Sequence, residues 1–321
     1  MTDSRPLVAV YGGANIDIQS RCRAPFRPGD SNPGTSSMSM GGVGRNIAEN
    51  VARLGLRTEL VTVFGGDEQA GHLADACRDA GIEVGRSLIL PDEQTSRYIC
   101  ILDDKGILVG AVAAMDSIDR FGPEELAARF GPGDEAEVVI LDANLPAATI
   151  AAAAARWKGK PLILDTVSVT KAAKAAPVVG SFYSVKPNRK EARVLLGLEP
   201  DSGGPADVLD SARESALGLL SLGLREVFVS LGETGLLWAD ASGMGVASPL
   251  PLPVVNVSGA GDAATAALAW SQVRGDRCMM KASYAVAAAS LCASSPDAVH
   301  NGMNPGILAE IAKGVRNERI S

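Results

Sequence analysis

The sequence predicts an α/β protein: a mostly parallel sheet covered by helices on both faces, with two irregular segments that form either a small β-sheet lid or a pair of ordinary surface excursions. Three observations predict this. Short apolar runs alternate with Ala- and Leu-rich helical stretches almost throughout, the rhythm of repeated strand–helix–strand units. The chain has 321 residues, 46% of them hydrophobic, enough to bury a full core without disulfide or metal staples. Two segments break the rhythm, at about residues 16–40 and 95–115. With no linker or repeat in sight, residues 1–321 read as a single domain, with those two segments as its candidate lid.

The buried strands are expected at Leu7–Tyr11, Leu60–Phe64, Val138–Leu141, Leu162–Leu164, Phe182–Val185 and Val227–Ser230. Each is a short apolar run bounded by polar or turn residues. Between them, helical spacing marks Asp67–Ala80, Ala147–Trp157, Arg189–Leu196 and Ala206–Leu222. The first irregular segment holds Pro25, Pro28 and Pro33 among small polar residues and has no helical period. The second contains two strand-like runs around Asp103-Asp104-Lys105-Gly106, a hairpin pattern. Ligands of open parallel sheets bind beyond the carboxyl ends of the strands. Chemistry is therefore to be sought just after each strand.

Composition excludes several classes. Against 30 Lys+Arg stand 37 Asp+Glu, a net charge of -7 with no basic run. That balance argues against a nucleic-acid polymer or an anionic membrane, since neither phosphate array would be neutralised. The longest apolar stretches fall well short of the roughly 18–20 residues that span a bilayer. The opening MTDSRPLVAVYGG carries an acidic residue and runs straight into a strand, unlike a secretory leader. Cys22, Cys77, Cys100, Cys278 and Cys292 are widely scattered, which suits reduced thiols in a cytoplasmic protein. His72 and His300 are the only histidines. Acid–base chemistry therefore falls to carboxylates.

Four segments hold candidate chemistry. Gly41-Gly42-Val43-Gly44-Arg45-Asn46 opens a helix whose Ile47, Val51 and Leu54 keep helical spacing, with Gly55 as its stop. Its backbone permits close approach of a ligand, and Asn46 presents an amide to hydroxyls; packing alone explains such glycines as readily. Val254-Val255-Asn256-Val257 reads as a strand leading into Ser258-Gly259-Ala260-Gly261-Asp262 and an Ala-rich helix. The N–H groups of Gly259, Ala260 and Gly261 would form an anion site at a helix N-terminus. Asp262 beside it is a poor phosphate ligand and a good proton acceptor, or else a plain complement to the helix dipole. In Lys186-Pro187-Asn188-Arg189-Lys190-Glu191, Asn188 and Glu191 share a helical face. They suit either the water shell of Mg²⁺ or a capping box. Ser230-Leu231-Gly232-Glu233-Thr234-Gly235 is a strand with a tight turn, open to a nucleotide or simply a hairpin.

GGVGRNIAENVARLG, KPNRKE and NVSGAGDAATAAL, in this order and spacing, resemble the paired signatures of the PfkB (ribokinase-like) carbohydrate and nucleoside kinases. The likeness covers essentially the whole chain. Gly13-Ala14-Asn15-Ile16-Asp17, Asp30-Ser31-Asn32-Pro33-Gly34 and Ser184-Val185-Lys186-Pro187-Asn188-Arg189 bring it nearest to the branch that phosphorylates the 5′-hydroxyl of pseudouridine. The resemblance implies a ribokinase-like three-layer α/β/α sandwich, ATP as co-substrate and Mg²⁺. It implies Asp262 as catalytic base and Gly259, Ala260 and Gly261 as the hole that stabilises the transferring phosphoryl group. Asn188 and Glu191 would organise Mg²⁺ through water, and Lys186 would reach the phosphates. Ser230, Gly232 and Gly235 would belong to the nucleotide site; Asn15, Asp17, Gly42 and Asn46 would hold ribose hydroxyls. Ser31, Asn32, Ser96 and Tyr98 are assigned to the base end of the substrate. A homodimer paired through the lid is also implied.

One departure concerns Asn256. Many members carry Asp there, helping to bind a monovalent cation such as K⁺, and the amide removes that formal charge, leaving K⁺ dependence open. His72 is expected on a solvated helix face, and His300 is a minor candidate for the adenine pocket. Two other readings stand beside the pseudouridine one: a kinase for ribose or another nucleoside, and a non-catalytic nucleoside- or sugar-binding module.

Overall fold

The computed structural model describes residues 4–200 and 208–320. The chain opens with β1 (Leu7–Tyr11), then β2 (Asn15–Cys22) and β3 (Gly34–Gly41), then α1 (Val43–Arg53). Next come β4 (Arg57–Val61), β5 (Val63–Gly65), α2 (Glu68–Asp79), β6 (Ile82–Glu83) and β7 (Leu88–Leu90). A hairpin of β8 (Arg97–Leu102) and β9 (Leu108–Ala114) precedes α3 (Pro123–Ala127) and α4 (Gly131–Glu135). The middle of the chain holds β10 (Val138–Asp142), α5 (Ala147–Arg156), β11 (Leu162–Asp165), α6 (Val169–Ala172), β12 (Ser184–Lys186) and α7 (Arg189–Leu195). Then follow α8 (Val208–Ser221), β13 (Glu226–Ser230), β14 (Leu236–Asp240) and β15 (Gly243–Ala247). Helices α9 (Ala260–Val273), α10 (Cys278–Ala293) and α11 (Pro305–Lys313) and strand β16 (Asn317–Ile320) end it.

Ten strands make the main sheet, in the order β16-β15-β14-β13-β12-β11-β10-β1-β4-β6. From β6 to β13 every pair is parallel; β14, β15 and β16 add an antiparallel edge. Alternate residues of one strand enter opposite layers, as the pleat requires. Leu7, Ala9 and Tyr11 pack in one cluster with Ile150 of α5, Leu195 of α7 and Leu219 of α8. Val8 and Val10 pack in the other with Ile47 of α1, Leu73 of α2 and Ala266 of α9. Helices thus cover both faces of the sheet in three layers, as the sequence pattern predicts. Its parallel strands are apolar on both sides for that reason.

The lid is a separate four-stranded sheet, β3-β2-β8-β9, and its hairpin turns at Asp103–Gly106. Two expected strands change. The run at Leu60–Phe64 divides, because Val63–Gly65 pairs with Leu88–Leu90 in a small sheet of its own. Val254–Val257 is not a strand: Pro251 and Pro253 interrupt any ladder, and the N–H groups of Val255 and Asn256 donate to the Ala293 carbonyl at the end of α10. The helix expected from Ala206 is described from Val208; its first two residues lie outside the described segments.

Candidate active site

Neighbouring parallel strands end level with one another and set up the site. In register, Asp142 of β10 stands beside Asp165 of β11, and Asp165 beside Lys186 of β12. All three are buried, at the carboxyl edge where an open α/β sheet places its ligands. Asp142 is spent on the framework: its carboxylate accepts from the backbone N–H of Gly13 at 2.8 Å and of Asn144 at 2.8 Å. Asp165 accepts from the Thr265 hydroxyl of α9 at 2.6 Å and lies 3.3 Å from Lys186 Nζ. Helix α9 is thereby pinned with its N-terminus facing the strand ends.

That N-terminus begins with Gly259 in the left-handed region, φ 77°. A side chain there would be strained, and its Cβ would meet the Ala298 carbonyl oxygen at 1.9 Å. Ala260, Gly261 and Asp262 follow in the first turn. Asp262 is buried, and its Oδ2 accepts a hydrogen bond from Asn46 Nδ2 of α1 at 2.9 Å. Burial pushes the Asp262 carboxyl up, the Asp165 charge adds to this, and the Asn46 hydrogen bond and Lys186 oppose it. Burial also works against the Lys186 ammonium, but Asp165, Glu191 and Asp262 outweigh it and raise its pKa above the ordinary lysine value.

Two cavities meet here. One, of about 350 Å³, is lined by Asp165, Lys186, Asn188, Glu191, Asp262 and the Ala260–Gly261 turn, and opens into an apolar slot between Gly235, Leu236, Val286 and Ala289. Ser230 and Gly232 also line it. The other, of about 390 Å³, lies under the lid and contains Asn15, Asp17, Gly42, Asn46 and Ser96. Asn15 Nδ2 donates to Asp17 Oδ1 at 2.6 Å, and burial raises the Asp17 pKa. Asn46 lines the second cavity and Asp262 the first, so their hydrogen bond joins the two.

Val43 and Val167 line both cavities and form the wall between them. Among the described residues Val167 is the one non-glycine with positive φ, at 61°. The Ser168 N–H donates to the Thr166 carbonyl across it at 2.6 Å. This three-residue turn is of the rarer, strained γ form, and a β-branched side chain in such backbone costs about 1–3 kcal/mol.

Asn188 and Glu191 form a full capping box at the start of α7. Glu191 Oε2 accepts from Asn188 N at 2.9 Å and Thr166 Oγ1 at 2.6 Å, and Oε1 from Asn188 Nδ2 at 2.7 Å. Among the described residues no group of three or more His, Cys, Asp or Glu is arranged to hold a metal ion directly. Yet the first cavity sets the carboxylates of Asp165, Glu191 and Asp262 against the single ammonium of Lys186. Such a donor set fits Mg²⁺ held by substrate phosphates and water, with the carboxylates behind it.

Some expected residues lie elsewhere. Ser31 and Asn32 sit on the exposed tip between β2 and β3; Asn32 is consumed by Arg27 and Asp30, and the Ser31 N–H is held by Asp30. Tyr98 is two residues beyond Ser96 along the lid and lines a third cavity, of about 640 Å³, with Arg45, Glu49 and Asn256. The second cavity is also lined by Asn144, Lys171, Lys174, Asp116 and Asp119. Lys171 donates to the Asn144 side chain, and Lys174 to the carbonyls of Asn144 at 3.0 Å and Leu145 at 2.8 Å. Asp165 directly follows an expected strand, so inspecting the residue after Leu164 finds it; Lys171 and Lys174 lie on and just after α6, where no sequence signal singles them out. His72 is an exposed residue of α2, 3.9 Å from Glu68. His300 accepts from the Gly302 N–H at 2.9 Å and lines neither cavity.

Residues 5–303 match the sequence profile described as pfkB family carbohydrate kinase. A pseudouridine kinase of Escherichia coli K12 is 34% identical over 269 residues, covering 84% of each chain. A carbohydrate kinase structure from Agrobacterium tumefaciens superposes with TM-score 0.85 at 29% identity, covering 98% of this chain and 100% of that one. The Arabidopsis thaliana ribokinase complexed with ribose and ATP superposes with TM-score 0.80 at 25% identity, over 96% and 99%. The sequence signatures, the three-layer sheet with its lid and these likenesses agree: the chain belongs to the pfkB family of carbohydrate kinases.

Proposed function

We propose that the chain transfers the γ-phosphoryl group of ATP to the 5′-hydroxyl of pseudouridine, giving pseudouridine 5′-phosphate. The observation that carries this reading is the Asn46–Asp262 hydrogen bond at the junction of a nucleotide-sized cavity and a polar cavity under the lid. The 34% identity to the E. coli pseudouridine kinase supports the choice of acceptor. ATP fits the first cavity, with its base in the apolar slot and its phosphates toward Lys186 and the N–H groups of Gly259–Gly261. Mg²⁺, when bound with ATP, supplies charge neutralisation; Asn188 and Glu191 would order its waters. Asp262 accepts the hydroxyl proton as the oxygen attacks, and Asn46 holds that carboxylate in place. The helix start then meets charge developing on the transferring group without reorganising. Asn15, Asp17 and Gly42, which line the second cavity, would hold the ribose.

The lid supports a homodimer. Met38, Ile18, Ile99 and Val112 form one register row across its four strands, and Met38, Ile99 and Val112 are 51%, 36% and 62% exposed. An apolar row on an open sheet calls for cover, and a second copy of the same row supplies it. The five cysteines are free and buried, in keeping with a cytoplasmic setting; among the described residues no helix is long and apolar enough to cross a membrane.

A panel of pseudouridine, uridine, other nucleosides and ribose with Mg²⁺ and ATP, scored for phosphorylated product, tests the reading. Pseudouridine is expected to give the highest kcat/KM. A preference for ribose would transfer the assignment to a ribokinase-type activity, and nucleotide binding without product from any acceptor would leave a binding module.

A further inference from the structure

We infer that Val167 is a positioning residue that seals the nucleotide cavity from the acceptor cavity, so that ATP reacts with the acceptor hydroxyl and not with water. The inference rests on the kinase reading above. Every other positive φ among the described residues belongs to glycine, because a Cβ is resisted there and a β-branched one most of all. Glycine would relieve the strain at Val167, so the isopropyl group stands there at a cost to the backbone. What it does supply is visible in the lining of the site. The side chain packs, partly buried, against the core cluster, and Val167 lines both cavities, as Val43 does.

The turn also sorts the polar groups around it. Before it, Asp165 and Thr166 turn to α9 and Glu191 on the nucleotide side. After it, Ser168 caps α6, and Lys171 lines the acceptor side. The Val167 N–H is itself held by Asp165 Oδ1 at 3.0 Å. Two valines thus border both cavities, which the Asn46–Asp262 hydrogen bond joins. In productive transfer the acceptor oxygen bonds to the γ-phosphorus, the bridging bond to ADP breaks, and the proton goes to Asp262. If water occupies the gap it takes the same place, giving ADP and inorganic phosphate with the proton again on Asp262. Filling the gap with carbon suppresses that branch.

The test measures ADP and phosphorylated nucleoside together for wild type, Val167→Gly, Val167→Ala and Val167→Ile, with Mg²⁺ and ATP, with and without pseudouridine. Wild type and Val167→Ile are expected to release about one ADP per product. Val167→Gly and Val167→Ala should show at least a several-fold rise in acceptor-independent hydrolysis and in ADP per product. A merely structural role would lower both rates together and leave the ratio alone, and that result overturns the inference. Melting temperatures give an independent readout: Val167→Gly should melt above Val167→Ala, the reverse of the usual ranking, because only glycine fits the backbone. The ordinary ranking would remove the strain from which the inference starts. If wild type phosphorylates no acceptor, the kinase reading fails while the hydrolysis rates still show whether the partition restrains water.

Discussion

Asn46 and Asp262 are 216 residues apart in the chain and joined by a buried 2.9 Å hydrogen bond. One stands near the start of α1, the other in the first turn of α9, and each faces a different cavity. In the proposed reaction the pair marks the point where an acceptor hydroxyl meets a carboxylate. Asp262→Asn keeps the shape and removes the proton acceptor. Loss of a positioned base typically costs about 10²–10⁴-fold, so kcat should fall by about that factor with the acceptor KM nearly unchanged. Near-normal turnover in steady-state assays would remove Asp262 from the role of base.

The pH profile should report the same group. Burial, helped by Asp165, pushes the Asp262 pKa from 3.8 to about 7. A base must be ionised, so kcat/KM is expected to fall about tenfold per pH unit below that value and to level off above it. Stability runs the other way. A carboxyl whose folded pKa is raised contributes stability that is present below pH 3.8 and lost as pH rises through about 7. In the ligand-free protein Asp262→Asn should therefore melt above wild type at pH 8, with the gap narrowing toward pH 5. A gap independent of pH would show that the ionised carboxylate carries no burial penalty.

The parallel strands were legible because each is apolar on both faces, as at Leu7–Tyr11 and Val138–Asp142. The Gly-Ala-Gly-Asp helix start was legible because residues with little or no side chain leave the backbone N–H groups of a helix entrance bare, and a carboxylate follows them directly. That Ser31, Asn32 and Tyr98 stand outside the second cavity was not legible, because a side chain in a loop can be consumed locally, as Asn32 is by Arg27, and strand distance along a lid is not readable from letters. Val167 was invisible for a different reason. Nothing in its identity announces a positive φ, which is imposed by the turn between Asp165 and the cap of α6.

Lys171 should set substrate choice more than rate. Its ammonium reaches the Asn144 side chain in the second cavity, where we propose the base of the acceptor lies, beside Lys174, whose pKa is lowered by burial and then by Lys171. Lys171→Met removes a donor suited to a carbonyl of a pyrimidine-type ring. The KM for pseudouridine is expected to rise about tenfold, the equivalent of one good hydrogen bond to a charged group, with ribose kinetics little changed. Equal losses for ribose and nucleoside would assign Lys171 to folding.

The exposed lid row predicts an oligomeric response. Val112 is 62% exposed on β9, in register with Ile99. Val112→Lys places a charge where two apolar rows would meet, while costing the isolated lid little. Sedimentation should show wild type as a dimer and the variant shifted to monomer at equal concentration. A wild-type monomer, or a variant that stays dimeric, would place the contact elsewhere.

The last prediction concerns the loop before Gly259. Asn256 Nδ2 donates to the Pro296 carbonyl at 2.8 Å, and Asn256 Oδ1 accepts from the Ser258 N–H at 3.0 Å. One amide therefore ties the approach to α9 to the segment after α10. Replacing it by a carboxylate would set a charged oxygen against the Pro296 carbonyl oxygen, two acceptors with no proton to share. A monovalent cation lodged between them would restore the tie. Wild-type activity is therefore expected to be nearly the same in potassium and in a bulky organic cation buffer. Asn256→Asp should lose activity without potassium and recover it, at least in part, on addition. The measurement is kcat/KM against potassium concentration at constant ionic strength. Strong potassium activation of wild type, equal to that of the variant, would show that the amide does not replace the ion.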